Sequence, residues 1–268
     1  MGVVKFFIRT ATRIGRDSLA LVNSLGQASV LFGLTLASLF TQPLRFRELL
    51  RQMHFVGVKS QFVVLTTGIF TGAVFAAQIQ FQFARLGMES ATGVVATIAM
   101  CRELGPVISA LMIAGRVGSA MAAELATMKV TEQIDALRGL AVSPIDYLVV
   151  PRFLALVLSG PLLVGLAIGG GILAGYVVAV PLLGVEGNYY WDRITLFAEA
   201  KDVWIGIIKA FFFSVIIAVI ACHEGLRVEM TTEAVGRATT DAAVNGSIAV
   251  LISNFFFTLI LNTIFPVG

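Results

Sequence analysis

Charge is scarce in this sequence. Only 13% of its 268 residues are Asp, Glu, Lys or Arg, about half of the roughly 25% found in soluble domains. A chain so poor in charge cannot cover a water-facing surface, which excludes a soluble globular fold. Histidine and cysteine occur twice each. Cys101 and Cys222 form no CxxC or Cys/His pattern and read as small core residues. His223 and Glu224 are sequence neighbours, so a helix would point them apart, and the only other histidine is His54. No metal site is expected. Ser109, Ser119 and Ser214 have no His/Asp arrangement to activate them as nucleophiles. No Gly-Lys dipeptide occurs anywhere, so the GxxxxGK[ST] loop that cradles nucleotide phosphates is absent. Work against a gradient would have to draw on ions or on another polypeptide, and no cofactor is expected in this chain.

What the sequence does have is apolar length. Hydrophobic residues make up 57% and mean hydropathy is +0.91. Runs longer than about 18 apolar residues read as membrane spans. The apolar segments are 20–41, 60–80, 92–122, 145–183, 203–223 and 242–265. This predicts a single all-α polytopic membrane domain over 1–268. Lys5, Arg9, Arg13 and Arg16 recur at helical spacing opposite Phe7, Ala11 and Ile14. That pattern predicts an interfacial helix over 1–19 rather than a signal peptide.

Positive charge marks the cytoplasmic side. Residues 1–19 and the connection 45–59, with Arg45, Arg47, Arg51 and Lys59, are both basic. They share a side only if segment 20–41, which is rich in Ser, Gly, Asn and Gln, dips into the membrane and returns. Five crossings then remain. Lys129, Arg138, Arg152, Arg227 and Arg237 join the cytoplasmic set, leaving Arg85, Arg193 and Lys201 outside. The N-terminus is expected inside and the C-terminus outside. Segment 145–183 is too long for one straight crossing and carries Pro151, Pro161 and Pro181, which predicts a break or strong tilt. Gly165/Gly169 and Gly171/Gly175 have the GxxxG spacing that lets helices approach closely.

Two features carry candidate chemistry. Arg102 and Glu103 lie deep in a span, about 15–17 Å from its start at 1.5 Å per residue. An ionised group at that depth costs about 2.5–3.5 kcal/mol, so such residues line a cavity, face a partner chain or pair. Sequence neighbours point about 100° apart on a helix, so the two are not expected to pair simply with each other. Gln78 and Gln82, four residues apart on the preceding span, could face the same space. The second feature is MKVTEQIDAL, a polar island from Met128 to Leu137. Val130, Ile134, Leu137 and Ala141 form one helical stripe, with Glu132, Gln133, Asp135 and Arg138 on the rest. Thr131 is the expected N-cap, and Gly139 with Pro144 should end a short cytoplasmic helix over 128–140.

The stretch from Arg102 to Ala155, beginning RELGPVISALMIAGRVGSAMAAELATMKVTEQIDALRGL, resembles the signature block of the MlaE/YrbE permease family. GRATTDAAVNGSIAVL (236–251) resembles that family's C-terminal block. The likeness extends over nearly the whole chain, with the first 40 residues matching only in general character. It implies a homodimeric permease of the bacterial inner membrane, with an N-terminal elbow helix, a membrane-dipping segment and five spans. Its partners would be a second copy, two cytoplasmic ATPases that hold ATP and Mg, a periplasmic ring of Mce-domain protein and, in the cytoplasm, room for a small accessory protein. Membrane lipid, phospholipid or similar, would be the cargo and nucleic acid would not bind. By the same resemblance, Arg102, Glu103 and Leu104 border the lipid pocket and Arg237 is functionally important. The 128–140 helix, through Glu132, Gln133, Ile134, Asp135 and Leu137, would couple the permease to its ATPase. A gradient-driven transporter using Glu103 and Lys209, and a membrane scaffold without transport activity, are the competing readings.

Overall fold

A computed structural model describes the backbone of residues 2–43 and 45–265, with side chains at 15, 16, 19, 22–43 and 45–265. The expected basic face at Lys5, Arg9 and Arg13 therefore lies outside the described side chains. The described residues form helices and short connections, with no strand among them. We number the helices α1 (Gly2–Thr41), α2 (Phe46–Leu86), α3 (Glu89–Val130), α4 (Gln133–Gly139), α5 (Ile145–Leu182), α6 (Gly187–Phe197), α7 (Ala200–Arg227) and α8 (Thr232–Ile264). Six are long and apolar enough to cross a membrane, namely α2, α3, α5, α7, α8 and the Val22–Thr41 part of α1. The chain is an all-α polytopic membrane protein.

Short connections join α2, α3, α5, α7 and α8 into an antiparallel bundle. Its distal end carries residues 87–88 and 183–199, and its proximal end carries 131–144 and 228–231. Small residues bring α2 against α5. A Cβ on Gly68 would collide with Ala167, and one on Gly72 with the backbone of Gly171. Gly175 meets Ala76 across the same seam, whereas Gly169, from the other expected GxxxG pair, has open space beside it. Without a hydrophobic drive between helices in lipid, this close backbone approach is the main source of packing energy. At the distal end, α6 buries Tyr190 beside Tyr176 and against Gly93. Burial pushes the Tyr190 phenol up to about 12.

The helices refine the expected layout at three places. Segment 20–41 contains no internal turn. It is the second half of one unbroken helix, because its glycines, Gly26 and Gly33, are too sparse to stop a helix in an apolar setting. Ser24 bonds to His223 and accepts from Arg227, while Ser38 donates to Asp146. Phe32 packs on Phe153 with ring centroids 6.0 Å apart. Ser24 and Ser38 are about 21 Å apart along α1, yet their partners are the proximal ends of α7 and α5. The helix thus runs across that end.

The connection 45–59 is helical, continuing into the span through a π turn at His54–Val58. Leu49 and Val56 are buried against the bundle and hold it helical. Nor does α5 break. Pro151 falls in the first turn after a π turn at Ile145–Val149, and Pro161 is accommodated inside the helix. In an apolar setting a helix keeps its remaining backbone bonds in preference to exposing them.

Candidate functional site

The deepest charges organise around a π turn. In α3, Met100–Leu104 widens to an i→i+5 bond, with Gly105 N–H donating to Met100 O. Pro106 explains the widening. It has no N–H for the carbonyl of Arg102 and its ring would crowd that oxygen in a regular helix. Lys209 Nζ, from α7, donates to the freed Arg102 carbonyl at 2.9 Å. Gly206 makes the approach possible, since a Cβ there would collide with the Cys101 carbonyl.

From this turn Arg102 and Glu103 diverge to separate partners. Arg102 Nε donates to Asp202 Oδ1 at 2.6 Å, with both side chains under 10% exposed. Asp202 also accepts from the backbone N–H of Glu199 and so closes a capping box at the start of α7. Arg102 Nη1 donates to Asn262 Oδ1 at 3.0 Å. Glu103 Oε1 accepts from Lys209 Nζ at 2.7 Å and Thr258 Oγ1 at 2.9 Å, and its Oε2 accepts from Asn254 Nδ2 at 3.1 Å. Lys209 is 1% exposed, but Glu103 remains 39% exposed. The network therefore buries its cations and turns one carboxylate outward. Asn254, Thr258 and Asn262 recur every four residues, so α8 presents one polar stripe to the cluster. Its other faces expose Phe255, Phe256, Leu259 and Ile260.

Of the residues singled out in sequence, Arg102, Glu103 and the half-buried Leu104 thus lie in or beside one network. Gln78 and Gln82 are exposed on α2 and have no hydrogen bond to it among the described residues. The buried glutamine is Gln80, which accepts from Thr92 at 2.6 Å. Asp202, Asn254, Thr258 and Asn262 were missed. The one sequence signal for the last three is the four-residue spacing of polar groups in α8.

The proximal end holds the second candidate. Helix α4 is shorter than the expected 128–140, because α3 continues to Val130. Thr131 does not cap α4. Its hydroxyl donates back to Thr127 O at 2.8 Å. Glu132 then takes a left-handed φ of 59°, which starts the new helix. Beyond Gly139 the chain closes through Ala141 (φ 57°), whose N–H bonds Arg138 O while Val142 N–H bonds Leu137 O. Ile134 is buried in the bundle core and Leu137 is half-buried against it. Glu132, Gln133 and Asp135 remain exposed, with Asp135 accepting from Arg138 at 2.9 Å. Neither buried side chain of the expected stripe is free for a partner. They anchor α4 and leave its polar residues displayed. Arg237 is also exposed at this end, near Glu229 and Glu233 at 3.8 and 3.9 Å.

The model of the family described as Permease MlaE matches residues 49–260. A probable ABC transporter permease protein of Rickettsia felis is 40% identical over 251 residues, covering 94% of this chain and 97% of that protein. The intermembrane phospholipid transport system permease protein MlaE of Haemophilus influenzae is 36% identical over 250 residues, covering 92% and 95%. Protein TRIGALACTOSYLDIACYLGLYCEROL 1 of Arabidopsis thaliana, a chloroplast protein, is 37% identical over 212 residues, covering 79% of this chain and 61% of that protein.

Proposed function

The chain belongs to the MlaE family of ABC transporter permeases, and we propose that it is the lipid-conducting membrane subunit of a transporter driven by a separate ATPase. Two copies pair about a two-fold axis and enclose a path for a phospholipid or similar lipid. They pass it between the bacterial inner membrane and a periplasmic Mce-domain protein. The observation that carries this reading is the outward-turned Glu103, held by Lys209, Thr258 and Asn254 at mid-span depth. A bundle built only to fold would have little reason to keep a partly open carboxylate there. Gln78, Gln82 and Leu104 line the path with Arg102 and Glu103, the exposed glutamines being supplied toward the axis by each copy.

The proximal end is cytoplasmic, in keeping with its basic residues. There α4 docks on the ATPase through Glu132, Gln133 and Asp135, with Ile134 and Leu137 transmitting its movement into the bundle, and Arg237 stands nearby. ATP and Mg belong to the ATPase. The C-terminus is periplasmic. The Glu103–Lys209 pair is also what a gradient-driven carrier would use. Co-purification with the ATPase, followed by lipid transfer that requires ATP hydrolysis, tests the proposal. Transfer driven by an ion gradient without the ATPase would replace it.

A further inference from the structure

Where the proximal parts of α2, α3 and α5 diverge they leave a cleft of about 920 Å³. The mid-span network does not account for it, and of the exposed face of α4 only Gln133 joins its lining. Its depth follows from sequence. Lys59 is the last charge on α2 before an uncharged run to Arg85, and Arg152 is the last on α5 before one that extends to Glu186. Both line the cleft, which therefore sits where the spans leave hydrocarbon, at headgroup level.

The lining is built around a buried cation. Arg152 is 7% exposed. Its Nη2 donates to Glu124 at 3.0 Å and its Nη1 to Leu148 O at 2.9 Å, while its Nε has no partner among the described residues. Gln52 Oε1, on the facing wall, is buried and unpartnered too. Glu124 is matched by Arg152. Arg51 and Lys59 are exposed and form no ion pair among the described residues, so with Glu48 they leave the cleft net positive. On either side of Lys59, Val58 and Phe62 expose apolar side chains. A positive cleft at headgroup depth beside an apolar helix face fits a ligand with an anionic head and hydrocarbon tails.

We propose that this cleft binds the phosphate-bearing headgroup of an anionic glycerophospholipid from the cytoplasmic leaflet, with its tails along Val58 and Phe62. The site is separate from the Glu103 network, and it rests on the proposed orientation of the proximal end. Arg51 and Lys59 contact the headgroup phosphate and Arg152 sets the potential of the floor.

The test uses the permease–ATPase complex in phosphatidylcholine nanodiscs. A trace of spin-labelled phosphatidylglycerol, or of spin-labelled phosphatidylcholine, reports the immobilised fraction. The wild type should retain the anionic probe preferentially. Replacing both Arg51→Gln and Lys59→Gln should weaken that preference roughly 30-fold, the effect of two basic residues facing anionic lipid. Arg51→Lys with Lys59→Arg should restore it. Arg85→Gln with Lys201→Gln, which removes the same charge distally, should not change it. Equal retention by the double glutamine variant overturns the site. Displacement of the probe by millimolar inorganic phosphate overturns the lipid as its ligand. Retention unchanged while the ATPase dissociates makes the cleft a protein-docking surface instead. Labelling of Arg47→Cys from the periplasmic face would overturn the orientation, a failure distinct from loss of the spin-label preference.

Discussion

Replacing Lys209 with methionine should unlock the mid-span network. The substitution keeps most of the side chain's length and removes three donated bonds, to Arg102 O, Glu103 Oε1 and Thr258 Oγ1. Breaking a buried ion pair from one side costs about 3–5 kcal/mol. Glu103 is partly open and regains some solvation, which reduces that figure. Against this, the Arg102 carbonyl loses its substitute donor beside Pro106, at about 1–3 kcal/mol for an unsatisfied buried group. The net expectation is about 2–4 kcal/mol. For a chain of this size that lowers the melting midpoint in detergent by about 4–16 °C. Intrinsic tryptophan fluorescence during heating reads it. A double-mutant cycle sharpens the test, because Lys209→Met and Glu103→Gln share an interaction and should cost clearly less together than the sum of the two. A midpoint within about 2 °C of wild type, or strictly additive costs, would refute the network as described.

Gly72→Val should drive α2 and α5 apart where the two backbones meet. Its expected cost is at least about 3 kcal/mol, seen as poor recovery of monodisperse protein, and normal recovery would contradict the seam. Glu132→Lys with Asp135→Lys should reduce ATPase co-purification while leaving the permease melting within about 2 °C of wild type, since exposed substitutions alter stability by only about 0.5 kcal/mol. Unchanged association with full lipid transfer would remove α4 from the coupling role. A cysteine at Arg47 should react with a membrane-impermeant thiol reagent only from the cytoplasmic side. Background should be low because Cys101 and Cys222 are buried.

The long apolar helices and the network's two central charges were legible because charge in an apolar run is costly and therefore conspicuous. Arg102 and Glu103 stand out for that reason. Their partners do not. Asp202 lies where a span begins and reads as an ordinary loop acid, and its second role only appears once α7 folds against α3. Asn254, Thr258 and Asn262 are neutral, and neutral polar residues are common enough in spans to draw no attention. The π turn at Met100–Leu104 is a backbone property, yet Pro106, four residues beyond Arg102, was a readable hint of it. Gln78 and Gln82 were chosen over Gln80 by their spacing, and only packing reveals that Gln80 faces inward. The continuous course of α1 was not legible because charge reports where the ends of a segment lie and not how the chain travels between them. Thr131 looked like a cap because capping is judged from the following helix, whereas here its hydroxyl serves the preceding one.

Glu103 should face a lipid path powered from outside the chain. Reconstituted permease, ATPase and Mce-domain protein in vesicles carrying a fluorescent phospholipid measure it directly. Transfer should require ATP hydrolysis and fall at least tenfold in Glu103→Lys, where a third cation would sit beside Lys209 and Arg102, with protein level and ATPase co-purification retained. Full transfer by Glu103→Lys, or wild-type transfer that proceeds equally well without ATP, would contradict it.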